Sequence, residues 1–144
     1  SRTQIIHVSR PDLGQLTQYF LDKGHTVAEI NKSIAISGGL PGLMSAMLRQ
    51  EDHPLLAATD KARELLSQTT HERLLSIDEL AKQKELAINV TYILKQMAHV
   101  SLLNATGKAS AKWQAVLKAS YAAGNVLNKN GQPKLALTEL MLAL

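Results

Sequence analysis

Residues 77–104, IDELAKQKELAINVTYILKQMAHVSLLN, decide the fold, because they combine helical periodicity with apolar residues around most of the circumference. A surface helix has one apolar stripe, whereas this segment has only one narrow polar stripe. Such a helix is buried on several sides, as at the centre of a bundle. The segment therefore predicts an all-α domain built around one long helix, which Gly107 ends. The polar stripe consists of Lys82, Glu85, Asn89, Gln96 and His99.

The last predicted helix begins at Pro133, after a break at Asn130-Gly131. Residues 134–144 are so apolar that this helix must be buried on almost all sides, by the bundle or by a neighbouring subunit. It is the strongest indication in the residues of an oligomeric assembly. Its polar residues are Lys134, Thr138 and Glu139.

The helix before it, predicted over residues 109–128, is amphipathic and basic. Residues 81–144 carry eight lysines against two glutamates, an excess that could meet nucleic acid or an acidic partner. No interleaved aromatic or base-reading motif accompanies the lysines, so a solvated helical surface is the plainer interpretation. The apolar arc contains Trp113, Val116, Leu117, Ser120, Gly124 and Leu127, and the opposite arc Lys108, Lys112, Lys118 and Lys129.

Between residues 51 and 76 the chain turns at His53-Pro54 and enters another amphipathic helix. Residues 70–76 form either a short helix or the lead-in to the long central one. With the helices that follow, we expect residues 51–144 to form one helical bundle. The apolar positions of its first helix are Leu55, Leu56, Ala62, Leu65 and Leu66.

Residues 11–50 predict a smaller unit of three short helices. Pro11 suits a first helical turn, Gly24 ends that helix, and Thr26 with Glu29 matches a capping box for the second. The glycines of Ser37-Gly38-Gly39-Leu40-Pro41-Gly42 allow a tight turn before the third helix. The expected apolar faces are Leu13, Leu16 and Phe20; Val27, Ile30 and Ile34; and Leu40, Leu43, Met44, Met47 and Leu48.

The first residues do not fit this helical scheme. Thr3-Gln4-Ile5-Ile6-His7-Val8 has the pattern of a β-strand, but no second strand pattern follows. A lone strand leaves its backbone polar groups unpaired. We therefore expect residues 1–10 to be the last strand of a larger, truncated domain, with a hinge near residues 50–54 between the two helical units.

Composition excludes several classes of function. The 144 residues include no cysteine, which rules out disulfides, thiolate metal sites and cysteine nucleophiles. The most apolar stretch, residues 86–103, is interrupted by polar residues and does not predict a membrane span. No secretion signal is recognisable, so we expect a cytoplasmic protein.

Apparent catalytic or ligand-binding motifs fail on inspection. Thr106-Gly107-Lys108-Ala109-Ser110 faintly matches a phosphate loop, but Leu102 occupies the required leading glycine position and the preceding segment is helical. The five histidines are scattered, without the paired spacing of a metal site. No cofactor or metal is expected in this chain.

Three segments, in order along the chain, resemble parts of bacterial DNA polymerase III clamp-loader subunits. Ser1-Arg2-Thr3-Gln4-Ile5-Ile6 resembles the Ser-Arg-Cys motif and strand that close their nucleotide-binding domain. Residues 37–42 resemble the Ser-Gly-Gly-x-Pro-Gly turn of the lid domain. Residues 128–142 resemble the end of the delta-prime collar domain. The lid turn contains Ser37, Gly38, Gly39, Pro41 and Gly42, and the collar motif Leu135, Leu137, Leu140, Met141 and Leu142.

This resemblance implies an AAA-type ATPase assembly that loads the ring-shaped sliding clamp onto primed DNA for a DNA-directed DNA polymerase. Residues 1–10 would end the nucleotide-binding domain, residues 11–50 would form the three-helix lid, and residues 51–144 the collar that assembles the subunits. Partners would be gamma/tau and delta subunits, and the clamp and DNA through the complex. ATP and magnesium would belong to the parent complex, with no membrane involved.

Only one catalytic candidate follows from the resemblance, Arg2, which matches the arginine finger that reaches a neighbouring subunit's ATP site. Thr3 replaces the usual cysteine. Pro41 occupies the place of the lid arginine that senses bound nucleotide, which favours delta-prime over the gamma/tau motor subunit. The alternatives are gamma/tau and a general helical scaffold whose basic face binds nucleic acid. An intact phosphate loop upstream would indicate the gamma/tau motor subunit, and a degenerate loop would indicate delta-prime.

Overall fold

The computed structural model describes residues 11–49, 51, 53–129 and 131–144. Every regular element in these ranges is an α-helix, which confirms the all-α prediction. The predicted strand over residues 3–8 lies outside them. The helices are α1 (Leu13–Asp22), α2 (Val27–Ser37), α3 (Pro41–Arg49), α4 (Pro54–Ser67), α5 (Thr70–Leu75), α6 (Ile77–Lys82), α7 (Lys84–Asn104), α8 (Gly107–Asn128) and α9 (Pro133–Ala143).

Helix α1 begins two residues later than the sequence suggests. The Asp12 carboxylate caps it by accepting hydrogen bonds from the backbone N–H groups of Gly14 and Gln15. Pro11 therefore precedes the cap and is not in the first helical turn. An aspartate at this position satisfies amides at the helix start that otherwise lack partners.

The capping box predicted for α2 is present. The Glu29 amide donates to Thr26 Oγ1 at 3.3 Å, and the Thr26 amide donates to Glu29 Oε2 at 2.9 Å. The hydrogen bond from the Thr26 amide to the carboxylate, with a further one from the Thr26 hydroxyl, lowers the pKa of Glu29. Thr69 and Glu72 repeat the arrangement at the start of α5.

Helices α1–α3 enclose a small apolar cluster made by Leu16, Phe20, Ile30 and Met44. The apolar faces predicted from the sequence are only partly correct. Leu13 is 50% exposed and Val27 is 55% exposed. Each occupies the first position of its helix, ahead of the turn at which burial begins, so neither is enclosed by the other helices.

The larger cluster surrounds α7, which packs against α2, α4, α6 and α8. Val90, Ile93 and Leu94 are fully buried in it. This confirms the central position predicted from the narrow polar stripe. Even Gln96 of that stripe is 6% exposed, because α2 covers this side of α7.

The start of the central helix was predicted wrongly, whereas its end near Asn104 is confirmed. The segment is not one helix from residue 77, because Gln83 has φ −102° and ψ 69° and separates α6 from α7. The role predicted for Gly107 is also wrong. Helix α7 ends at Asn104, and Gly107, with φ 55°, begins α8. A left-handed conformation there reverses the chain at little cost for glycine.

The two helical units meet closely. Ile36 of α2 and Leu43 of α3 belong to the larger cluster, while Ile30 belongs to the smaller one. Trp113 packs only against the larger cluster. The division at residues 50–54 stays a prediction, since α2 and α3 contribute to both clusters. Within the described ranges, no helix has both the length and the apolar character needed to cross a bilayer.

Candidate functional site

The residues of the collar-like motif lie on two different faces of α9. Leu137, Leu140 and Met141 are fully buried, and α9 packs against α8, α5 and α6. Leu135 and Leu142 are 59% and 61% exposed. Of the five residues predicted for assembly, three therefore build the chain's own core, and two remain exposed at its surface.

The exposed leucines, with Val126 and Glu139, define a surface that we call the outer α9 patch. Leu135 and Leu142 are seven residues apart, which puts them on one helix face. Val126 of α8 joins Leu135 and Glu139 around a recess of about 250 Å³. Glu139 makes no ion pair within the described part of the chain. The patch is thus an apolar surface with one uncompensated carboxylate.

An exposed ion pair attaches the start of α9 to α6. Lys134 Nζ lies 2.7 Å from Asp78 Oδ1. This hydrogen bond, together with the lysine charge, lowers the pKa of Asp78. Because both side chains are largely exposed, the pair orients α9 more than it stabilises the fold.

The turn before α9 also requires close packing. Gly131 donates its backbone N–H to the Val126 carbonyl at 2.9 Å. A Cβ atom on Gly131 would lie 2.5 Å from Val126 Cγ1. The glycine therefore lets the chain fold back against α8, next to the outer α9 patch.

The lid-like turn packs tightly on the central helix. Gly38 and Gly39 have φ of 62° and 78°, and the Gly39 N–H donates to the buried Ser37 Oγ at 3.1 Å. A Cβ on Gly38 would lie 2.8 Å from Gln96 Oε1. Pro41 starts α3, as predicted. The turn therefore links the smaller unit to α7 through direct contact.

The positions that the sequence analysis considered for nucleotide contacts are only partly described by the structure. Arg2 lies outside the described residues. Pro41, at the expected site of a sensing arginine, carries no charge. Thr106 and Gly107 follow a helix and not a strand, contrary to the geometry of a phosphate loop. Among the described residues, no group of His, Cys, Asp or Glu is arranged to hold a metal ion.

A second surface lies where α7 meets α8; sequence analysis identified its lysines Lys118 and Lys129 but not its aromatic residues. Lys95 Nζ is 4.9 Å from the ring centroid of Tyr92 and 5.2 Å from that of Tyr121. We call the surface made by Tyr92, Lys95, Lys118, Tyr121 and Lys129 the tyrosine–lysine face. Its aromatic residues come from two helices, so their proximity cannot be recognised until those helices are known to be neighbours.

Comparison of the chain with protein-family models, with curated proteins and with solved structures found no match. The resemblance to clamp-loader subunits therefore depends on the three sequence motifs.

Proposed function

We propose that this chain is the lid and collar part of a delta-prime-type subunit of a bacterial clamp loader. In this role it helps a cytoplasmic ATPase complex place the sliding clamp on primed DNA for DNA polymerase III. The chain itself contributes assembly contacts and no nucleotide site. ATP and magnesium belong to other subunits or to domains upstream.

The observation that carries the proposal is the outer α9 patch. It lies within the segment that resembles the end of a delta-prime collar, and it exposes Leu135 and Leu142 on one face of the last helix. Two exposed leucines around a carboxylate are poorly suited to water but well suited to a protein neighbour. A ring of subunits provides such a neighbour.

The lid-like turn supports the same proposal. Its glycine conformations and the position of Pro41 fit the Ser-Gly-Gly-x-Pro-Gly pattern, and its contact with Gln96 joins lid and collar. A lid that is held against the collar can pass on changes at a neighbouring ATPase site. The absence of an arginine at Pro41 favours the delta-prime role over the gamma/tau motor.

Reconstitution of the complex tests the proposal. The full-length subunit is coexpressed with gamma/tau and delta subunits from the same organism, and native mass spectrometry determines the composition of the complex. We expect one copy of this subunit in a hetero-oligomer. The double variant Leu135→Asp/Leu142→Asp should remain outside the complex, because two more carboxylates would be buried without partners.

The matched control is Leu13→Asp/Leu103→Asp. These leucines are 50% and 83% exposed, and both line a recess between α1, α2 and α7 to which α9 contributes no residue. This variant should assemble normally, and circular dichroism should show that both double variants remain folded. If the wild type does not associate with the partner subunits, the proposed function is wrong. If the α9 variant assembles like the wild type, α9 is not the contact.

A further inference from the structure

We propose that the tyrosine–lysine face binds single-stranded nucleic acid. The inference goes beyond the role proposed above and does not depend on it, because it concerns a different surface and a different ligand. The outer α9 patch and the tyrosine–lysine face involve different residues of α8.

The first argument is electrostatic. Between Glu85 and Glu139 the sequence has six lysines and no acidic residue or arginine. Both α8 and most of α7 lie in this stretch, so no carboxylate of either helix beyond Glu85 opposes the positive charge. Lys118 and Lys129 are exposed and have no ion-pair partner among the described residues. A surface of this kind attracts phosphates.

The second argument is geometric. Lys118, Tyr121 and Asn125 of α8 and its C-cap residue Lys129 recur at intervals of three and four residues, so they follow one stripe along the helix and its end. At 1.5 Å rise per residue, the two lysines are about 16 Å apart along the axis, enough for several nucleotides. Tyr92 and Lys95 of α7 lie beside this stripe, since Lys95 contacts both tyrosine rings.

The third argument comes from the aromatic rings. Tyr121 is 48% exposed. Its ring is held from two sides, by Lys95 and by a hydrogen bond of 3.2 Å between its hydroxyl and His99 Nε2. A ring fixed in this way provides a stacking surface with little conformational freedom to lose. Single-strand-binding proteins combine such rings with basic grooves, because every base has a face that can stack.

A recess of about 210 Å³ adjoins the rings, lined by Tyr92, Lys95, Tyr121 and Asn125 among others. Its size is below the range of ordinary small-molecule pockets, so it suits one planar group better than a whole cofactor. Ser120 lines the same recess, and its buried Oγ has no hydrogen-bond partner among the described residues. The arrangement favours a strand lying across the face with one base at the recess.

Fluorescence anisotropy with a labelled 20-nucleotide oligo(dT) and the full chain tests this inference. Binding should weaken with salt, with a slope of about −0.7 per phosphate contact in a log–log plot. The variant Lys118→Ala/Lys129→Ala should bind on the order of ten-fold more weakly at low salt and reduce the slope by about 1.4. The matched control Lys23→Ala/Lys32→Ala removes the same charge from the lid and should bind like the wild type.

Tyr121→Leu separates stacking from charge. It preserves an apolar side chain and all lysines, so affinity should fall about ten-fold while the salt slope stays unchanged. Duplex DNA of the same length and polyglutamate serve as competitors, and neither should displace oligo(dT) efficiently. The proposal would be overturned if Lys118→Ala/Lys129→Ala and Lys23→Ala/Lys32→Ala lost the same affinity for oligo(dT). It would also be overturned if polyglutamate displaced the labelled strand as efficiently as unlabelled oligo(dT) does. An unchanged affinity of Tyr121→Leu would overturn it as well, as would no binding by a wild type that circular dichroism shows to be folded.

Discussion

At Gly38, backbone conformation and packing impose the same requirement. Its φ of 62° disfavours any residue with a side chain, and a Cβ would lie 2.8 Å from Gln96 Oε1 and 3.2 Å from Gln96 Cβ. Gly24 has a positive φ of 90° but no atom within 4 Å of the position of a Cβ. An alanine at Gly24 therefore tests the cost of the backbone conformation alone, whereas an alanine at Gly38 tests that cost together with the cost of the close contact.

We predict that Gly38→Ala lowers the free energy of unfolding by about 2–3 kcal/mol, and Gly24→Ala by about 1–2 kcal/mol. The difference arises because Gln96 is buried and has to shift. Urea denaturation of both variants measures it. Equal destabilisation would show that the lid-like turn does not press on α7.

Arg2 allows a prediction from the sequence resemblance alone. In the full-length subunit within its complex, Arg2→Ala should slow ATP hydrolysis at the adjacent site by up to about 10³-fold, diluted by the other sites. Arg2→Lys should rescue poorly, since an ammonium lacks the planar fork of a guanidinium. Steady-state ATPase assays on assembled complexes measure this. Unchanged turnover with normal assembly would make Arg2 an ordinary surface residue.

Among single residues, the sequence was most informative where a local rule applied. The Thr26–Glu29 box and the turn at residues 37–42 were predictable, because capping and positive φ depend on neighbours in the chain. The contact between Gly38 and Gln96 was not, because it depends on which face of α7 meets the turn.

At the level of helices, the two capping boxes give a pH dependence. Hydrogen bonds from the threonines, mainly from their backbone N–H groups, lower the pKa of Glu29 and of Glu72. A group whose pKa is lowered by folding stabilises the fold above its unfolded pKa. That contribution is lost as the pH falls through the folded value.

We therefore predict that Glu29→Gln/Glu72→Gln flattens the decline in Tm between about pH 5 and pH 3 relative to the wild type. The control Glu79→Gln/Glu85→Gln removes two carboxylates from the first turns of α6 and α7, where no side-chain cap is formed. This control variant should retain more of the decline in Tm with falling pH. Identical pH profiles for the two double variants would contradict the role of the boxes.

Helix α9 should respond differently on its two faces. Leu137→Ala leaves a cavity in the core and should cost about 2–5 kcal/mol of stability. Leu142→Ala, on the exposed face, should change the stability of the isolated chain by less than about 0.5 kcal/mol. Thermal or urea unfolding of both variants measures this. A large loss for Leu142→Ala would mean that the chain covers its own patch.

The sequence predicted which segments are helical better than where they end. It did not reveal the break at Gln83, since residues 77–104 keep a helical pattern without glycine or proline. The sequence indicated that α9 must be buried on most sides, but not which of its residues the chain's own helices bury. In the structure, α8, α5 and α6 bury part of α9 and leave Leu135 and Leu142 exposed.

For the whole molecule, the prediction of a bundle around a central helix is confirmed, because α7 lies in the larger apolar cluster with other helices on several sides. Which helices surround it could not be deduced, since several amphipathic helices of similar apolar content can pair in different ways. The tyrosine–lysine face depends on that pairing. So does the boundary between the units, which two apolar clusters share.

The most direct test of the central claim is a clamp-loading assay. Sliding clamps loaded onto primed circular DNA are counted with the reconstituted complex, with the complex lacking this subunit, and with Leu135→Asp/Leu142→Asp. We predict efficient loading only when the subunit is present and its outer α9 patch is intact. Equal loading without the subunit would contradict the assignment of this chain to a clamp loader.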